Sequence, residues 1–363
     1  MIIIKVKRLR KNNIFEIGGL QVPQKKPKNT KLTIEDIAKL AGVSKATVSY
    51  VLNDKPGVSE ELRLKIKKII EDCNYVPNSA ARGLAGEKTH FIGLVIPDVS
   101  DMFYANIIRG VEKTSNKHNY LLNLYTTHGE EEKERRVIGL INSSMVDGLI
   151  IMAYYIKDNF VDFLKNEGIP FVFIDYPTKD EDIYTVVVDN ETGAFEATEY
   201  LISLGHEKIA FLEGHEAAWD SKARFMGFLK ALTANSIEFN PLLIEKGDFT
   251  REGGYKATKR LLEKREEFTA IFSSNDQMAI GAVRALKEKG LKVPEDVSIV
   301  GFDNIEASSI IDPPLTTVMQ PIYEMGKKAT EILLRLINGE NIERKNFLLK
   351  TKLIKRSSCK SLK

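Results

Sequence analysis

The sequence predicts an α/β protein: an all-α helix-turn-helix headpiece and a hinge helix, joined to a core of parallel sheets in two lobes. Three observations predict this. Residues 33–53, TIEDIAKLAGVSKATVSYVLN, spell two short helices around a tight turn. From Phe91 onward, short Val/Ile-rich runs alternate with helical stretches, the pattern of parallel strands joined by crossover helices. At 363 residues the chain is also longer than one typical domain.

Residues 1–31 lack a helical or strand period and carry Lys25, Lys26 and Lys28 around Pro23 and Pro27. They are expected to be a disordered basic extension, or sequence upstream of the true start. MIIIKVKRLRKNN places its apolar run before its charges, the wrong order for a secretory signal.

The helix-turn-helix domain is expected over 32–76. Thr33 is a good N-cap, Asp36 can face the free N–H groups of the first turn, and Ile34, Ile37, Ala38 and Leu40 form the apolar face. Gly42 sits where the first helix must stop. Ser44 caps a second helix that buries Val48 with Val51 or Leu52, leaving Lys45, Ala46, Thr47, Ser49 and Tyr50 near the outer face. Hydroxyls, a cation and a phenol near a helix N-terminus suit a DNA major groove. A third amphipathic helix spans 58–75, with Ser59 as cap and Leu62, Ile66, Ile69 and Ile70 inward.

Residues 77–90 are the hinge and linker. Pro77 ends the preceding segment, Asn78 can cap, and Ser79 to Ala85 is a helix barely two turns long, too short to stand alone in water. DNA and a partner copy are expected to order it.

The core is expected over 91–356, with its strands in FIGLVIP, YLLNLY, DGLIIMA, PFVFID, TVVVD, KIAFLEG, TAIFSS and VSIVGFD. Ligands of open parallel sheets sit beyond the carboxyl ends of strands. Asp175 ends PFVFID, Asn275 and Asp276 follow TAIFSS, and Asp303 ends VSIVGFD. Asp276 is expected to cap the QMAIGAVRAL helix, and the other three to face a ligand.

Residues 1–86 hold 17 Lys/Arg against 8 Asp/Glu, whereas the remainder holds 36 against 42, so the basic end is the one drawn to phosphates. Two cysteines, Cys73 and Cys359, give neither a disulfide framework nor paired metal-ligand spacing, which fits a reducing cytoplasm. His206 reads as a helix-end cap. No apolar run approaches the roughly 20 residues of a membrane helix. No nucleophile, base and orienting group occur together, and no glycine loop follows a strand to cradle phosphate. The sequence supports no catalysis, metal or cofactor.

TIEDIAKLAGVSKATVSYVLN, YVPNSAARGL (75–84), IGLVIPD (92–98), SSNDQMAIGA (273–282), SIVGFDN (298–304) and PPLTTVMQP (313–321), in this order and spacing, resemble the lactose-repressor (LacI/GalR) family of bacterial transcription regulators. The resemblance runs from Leu32 to about Arg356. It implies a core like that of periplasmic sugar-binding proteins, with an N-lobe of about 91–189 and 321–349, a C-lobe of about 190–320 and 350–356, and a tail at 357–363. It implies that Lys45 and Ala46 read base edges and that Ser44, Thr47, Ser49 and Asn53 help contact phosphates. Tyr50 would reach a base or sugar, and Leu84 would wedge into the minor groove. Thr33 and Asn78 complete the DNA-facing candidates. The family's ligand-binding arginine falls on Arg224, in SKARFMGF, and Phe249 with Phe103 or Tyr104 would cover the apolar face of a sugar ring.

The expected protein is therefore a cytoplasmic homodimer on pseudo-palindromic double-stranded operator DNA, responsive to a small sugar-like effector at Phe103, Asp175, Arg224, Phe249, Asn275 and Asp303. Absence of a leucine heptad tail after TKLIKRSS points to a dimer and not a tetramer. The alternatives within the family are a catabolite-control regulator with a phosphoprotein effector and a purine-responsive repressor. Holding a base step open suits a compact apolar wedge. Leu84→Ala is therefore expected to weaken operator binding and flatten the DNA bend with little change in non-specific affinity. Titration of bend-reporting DNA checks this, and an unchanged bend would remove Leu84 from the groove.

Overall fold

The computed structural model describes residues 14–17, 20–23, 32–75, 83, 88–141, 145–156, 158–178, 180 and 182–363. The chain divides into two units, 1–78 and 79–363. In the first, β1 (Ile14–Ile17) pairs antiparallel with β2 (Leu20–Pro23), Ile17 opposite Leu20. This corrects the expectation of no strand in that stretch. IFEI and LQVP are β-prone tetrads around Gly18-Gly19, a hairpin signal submerged in lysine-rich surroundings.

Three helices follow: α1 (Ile34–Ala41), α2 (Lys45–Leu52) and α3 (Glu60–Asp72). Thr33 and Asp36 close a capping box, with Thr33 N–H donating to Asp36 Oδ2 at 2.9 Å. Gly42 ends α1 in the left-handed conformation, φ 72°, which only glycine adopts without strain. Thr47 N–H then donates to Ser44 Oγ at 3.1 Å and starts α2. Ile37, Ala38 and Ala41 of α1, Val48 and Val51 of α2, and Ile66 of α3 form the core. Burial of each large aliphatic here contributes about 1.5–3 kcal/mol relative to exposure.

The second unit contains β3 (Phe91–Ile96), α4 (Met102–Lys117), β4 (Leu121–Thr126), α5 (Glu131–Leu140), β5 (Gly148–Ile151), α6 (Asp158–Asn166), β6 (Phe171–Ile174), β7 (Thr185–Val188) and α7 (Asn190–Ser203). It continues with β8 (Ile209–Glu213), α8 (Trp219–Ala234), β9 (Ile244–Lys246), α9 (Arg251–Glu263), β10 (Ala270–Ser273), α10 (Asp276–Glu288) and β11 (Ser298–Asp303). It ends with α11 (Glu306–Ile310), β12 (Thr316–Met319), α12 (Ile322–Ile337), β13 (Asn346–Leu349) and β14 (Lys352–Ile354).

Two six-stranded sheets result, ordered β13-β7-β6-β5-β3-β4 and β14-β12-β11-β10-β8-β9. The first is parallel throughout. In the second, β14 alone runs antiparallel, against β12. The chain leaves that lobe through the end of β12 and returns through the start of β14, so the two must point in opposite senses. Passages between lobes fall at Asp189, at Gln320–Pro321 and at residues 350–351, between β13 and β14. At the start of β3, the Asp147 carboxylate accepts from Thr89 N–H at 2.7 Å and His90 N–H at 2.9 Å, fixing the chain as it enters the N-lobe.

Residues 357–363, expected as a tail, pack into the C-lobe. Ile299 N–H donates to Ser358 O, and Thr316 N–H to Ser358 Oγ, both at 2.8 Å. His206 is fully buried, its ring nitrogens 2.9 Å from Thr269 Oγ1 and 3.2 Å from Lys360 O. Its side chain is thus a post under the C-terminal segment and not a helix cap.

Glycines bring helix pairs into backbone contact. A Cβ on Gly110 of α4 would lie 2.3 Å from Tyr323 O of α12, and one on Gly326 of α12 would lie 2.4 Å from Ile107 O of α4. Gly254 and Gly281 do the same for α9 and α10, and Gly227 of α8 faces Glu191 O of α7 at 2.2 Å. Gly227→Ala must push α7 and α8 apart and is expected to lower stability by about 1–3 kcal/mol. Gly139→Ala, on α5 with open space around it, is expected to be neutral or stabilising by up to about 1 kcal/mol. Urea unfolding of the pair checks this, and equal midpoints would contradict close packing at Gly227.

Candidate functional site

The candidate residues fall in two places. On the headpiece, α2 presents Lys45 and Ala46 to solvent beside half-buried Thr47 and Ser49, with Tyr50 44% exposed. Lys45 Nζ pairs with Glu35 Oε2 of α1 at 3.0 Å, an exposed ion pair that solvent screening weakens. That bond holds the Glu35 carboxyl below its ordinary range. Lys55 Nζ lies 5.8 Å above the Tyr50 ring. Asn53, at the α2 C-terminus, donates from Nδ2 to Ser49 Oγ at 3.3 Å. The Thr33 and Ser44 hydroxyls are spent on capping, as each bonds inside its own first turn. Asn78 and Leu84 lie outside the described residues.

The second place lies at the carboxyl ends of both sheets, where Arg224 of α8 is 1% exposed. Its Nε donates to Asn190 Oδ1 at 2.9 Å, and one terminal nitrogen donates to Ser274 O at 2.5 Å and lies 3.7 Å from Asp303 Oδ1. The other terminal nitrogen meets Asp220 Oδ2 at 3.0 Å, one helical turn back. Its Cζ sits 4.1 Å from the Phe302 ring centroid and 5.7 Å from that of Phe249. A buried guanidinium needs such a cage, because desolvation without partners costs several kcal/mol.

Asp303 ends β11 with φ 108°, followed by Asn304 at φ 57°. Strain of this kind costs about 1–3 kcal/mol per residue and persists only when the surroundings over-determine it. Here they do. Gln320 Nε2 donates to Asp303 Oδ1 at 2.6 Å, Arg356 donates to Asn304 Oδ1 at 2.6 Å, and Ile305 N–H donates to Asp276 Oδ2 at 2.9 Å. Asp276 therefore braces the turn after β11, and the cap of α10 is Asn275, whose Oδ1 accepts from Met278 N–H at 2.9 Å. Asn275 Nδ2 also donates to Phe249 O at 2.9 Å. The assignment of Asp276 as the cap is thereby corrected. Capping needs a side chain in the extended conformation just before the helix, and Asn275, not Asp276, holds it.

From the N-lobe, Asp175 follows β6 at φ 52° and accepts from Val188 N–H at 3.2 Å. Burial pushes its carboxyl up to about 7, the Asp220 charge adds to the rise, and the Arg224 charge opposes it. Asp303 is raised as well, by burial foremost. Phe103 packs edge-on against Tyr104 within the N-lobe core, whereas the Tyr104 hydroxyl lies 3.0 Å from that of Tyr154. Tyr154 stacks on His215 of the opposite lobe at 4.6 Å. Both amides of Tyr154 and Tyr155 donate to the buried Glu134 carboxylate, at 2.9 and 2.8 Å, which fixes that loop.

Residues 33–78 match the family model described as bacterial regulatory proteins, lacI family, and residues 198–359 match a periplasmic binding protein-like domain. The chain is 37% identical to catabolite control protein A of Priestia megaterium over 86% of its own length and 94% of that protein. It belongs to the LacI family of bacterial regulatory proteins. The solved lac repressor dimer bound to operator and the anti-inducer ONPF is similar at a TM-score of 0.80 and 30% identity, covering 92% of this chain and all of that one. The complex of the transcriptional regulator CelR with cellobiose is similar at 0.70 and 32%, covering 90% and 100%. As a LacI-family member the chain is a ligand-responsive, sequence-specific DNA-binding transcriptional regulator and not an enzyme. Among the described residues no helix is long and apolar enough to cross a membrane.

Sequence reasoning missed Asn190, Asp220, Ser274, Gln320, Tyr154 and His215. The strand-end rule that singled out Asp175 and Asp303 applies equally to Ser274, Gln320, Tyr154 and His215, which follow β10, β12, β5 and β8. Asp220 stands four residues before Arg224 on one helix face.

The folded protein holds the Asp175 proton up to about pH 7, whereas an unfolded aspartate releases it near pH 3.9. Native protein binds more protons across that window, so this group lowers stability as pH rises through it. Asp175→Asn is expected to raise the melting temperature, with a gain that grows from about pH 4 to 7 and then levels off. A pH-independent difference between variant and wild type would contradict the buried carboxyl.

Proposed function

We propose that this regulator is a cytoplasmic, homodimeric repressor of carbohydrate-utilisation genes that binds a pseudo-palindromic operator and takes a small hydroxylated effector in the crevice around Arg224. The observation that carries the effector reading is the cage itself. A buried guanidinium and the carboxylates of Asp175 and Asp303 meet at the strand ends of both sheets, offering donors and acceptors to a ring of hydroxyls. The cellobiose complex of CelR and the ribose-bound LacI-family regulator from Enterococcus faecium support a sugar. The operator-bound lac repressor dimer supports the assembly.

In this reading Lys45 and Ala46 select bases, while Thr47, Ser49 and Asn53 hold phosphates beside the α2 N-terminus, whose free N–H groups favour anions. Effector closing the crevice changes the relation of two N-lobes in a dimer. Each N-lobe grips its own linker through Asp147, Thr89 and His90, so the change reaches the paired hinge helices.

A second reading, regulation by a partner protein, is supported by the catabolite control protein relative. One experiment separates them. Asp303→Ala and Arg224→Met are expected to abolish the effector response in an operator-release assay while operator affinity without effector stays within about threefold of wild type. An unchanged response in both variants would remove the crevice from the mechanism and favour the partner protein.

A further inference from the structure

Taking α2 as the helix that enters the major groove, with Lys45 on a base edge, we infer that Glu35 of α1 reads DNA beside it. The two together select one G·C base pair, the ammonium on guanine and the carboxylate on the N4 amine of the paired cytosine. The inference rests on where the carboxylate stands. Lys45 Nζ lies 3.0 Å from Glu35 Oε2, so wherever the ammonium reaches, the carboxylate reaches within one hydrogen-bond length. Both side chains are at least half exposed, and the cap of α1 is made by Thr33 and Asp36 without Glu35. The other Glu35 oxygen, Oε1, lies 3.7 Å from Lys39 Nζ on the same helix.

A carboxylate on a DNA-facing surface is repelled by phosphates and is tolerated there only where it meets a donor. Glu35 is held ionised, its carboxyl kept below the ordinary range by Lys45 foremost and by Lys39, so it can only accept. Major-groove edges offer such a group two donors, cytosine N4 and adenine N6. The ammonium decides between them. Of its three N–H groups one goes to Glu35, and the two left match the side-by-side O6 and N7 acceptors of guanine, whereas thymine presents O4 beside a methyl group. Spacing agrees. Guanine O6 and cytosine N4 are joined by a Watson–Crick hydrogen bond of about 2.9 Å, close to the 3.0 Å between Nζ and Oε2. The donor and acceptor of the protein thus lie opposite the acceptor and donor of one base pair. Ala46, next on α2, has no polar side-chain atom to compete for it.

The test uses full-length protein and the operator duplex it selects from a random library. Each half-site is expected to contain a G·C pair whose replacement by A·T weakens binding by at least about tenfold. Two base analogues placed at that pair then separate the roles: N4-methylcytosine keeps the pairing and removes the major-groove N4–H, and 7-deazaguanine removes N7. N4-methylcytosine is expected to weaken wild type by about tenfold and Glu35→Ala by less than about twofold, with Glu35→Gln between them. 7-Deazaguanine is expected to weaken wild type and Glu35→Ala alike and to leave Lys45→Met unchanged. A full N4-methylcytosine penalty in Glu35→Ala, or a Lys45-dependent position that selects A·T, would overturn the inference and leave α2 as the recognition helix. Unchanged base preference at every position in Lys45→Met would remove Lys45 from the base edges and overturn the recognition reading as well.

Discussion

A guanidinium buried among carboxylates is the constraint that organises the core. Arg224 is large, charged and 1% exposed, and it is tolerable only because four groups from α7, α8 and the ends of β10 and β11 close on it. Those elements must approach closely, which explains why α8 carries Gly227 where α7 presents a bare carbonyl. Asp303 must sit in a left-handed conformation that an ordinary strand end would avoid, which explains the brace of Asp276, Thr317 and Arg356 behind it. Removing one partner would strand a buried charge, so the set behaves as a unit.

Much of this was legible in the sequence because its signals are local. The capping residues Thr33 and Ser44, the stop at Gly42 and the inward Ile37, Ala38, Val48 and Ile66 follow from helical periodicity and cap chemistry alone. The parallel sheets were legible from β-branched runs separated by helical stretches. Asp175 and Asp303 stood out because strand ends are where ligands gather. The misreadings arose where the deciding contact is distant in sequence. Whether Asn275 or Asp276 caps α10 depends on a turn 29 residues away that needs the other carboxylate. Residues 357–363 resembled a loose end because their partners, Ile299, Thr316 and Leu204, lie far upstream. Phe103 and Tyr104 are adjacent, and only the packed helix decides that the tyrosine hydroxyl reaches Tyr154.

Three chain passages join the lobes, and two of them adjoin crevice residues. Asp189 lies beside Asn190, which holds Arg224, and Gln320 holds Asp303. In the proposed reading, ligand contact and lobe movement share the same few residues, so that a small change at Gln320 or Asn190 would act directly on a passage between the lobes. On the other side of the N-lobe, Asp147 ties the linker to the start of β5. Coupling between effector and operator then needs only that the two lobe arrangements differ in how they present the linkers of a dimer.

Because such coupling is reciprocal, the most direct measurement is effector affinity on and off the operator. Calorimetric titration of the full-length protein, free and saturated with operator DNA, is predicted to give dissociation constants that differ by about 5- to 150-fold, matching the factor by which the effector changes operator affinity. Identical effector affinities in the two titrations would contradict the link between the Arg224 crevice and the DNA-binding headpiece.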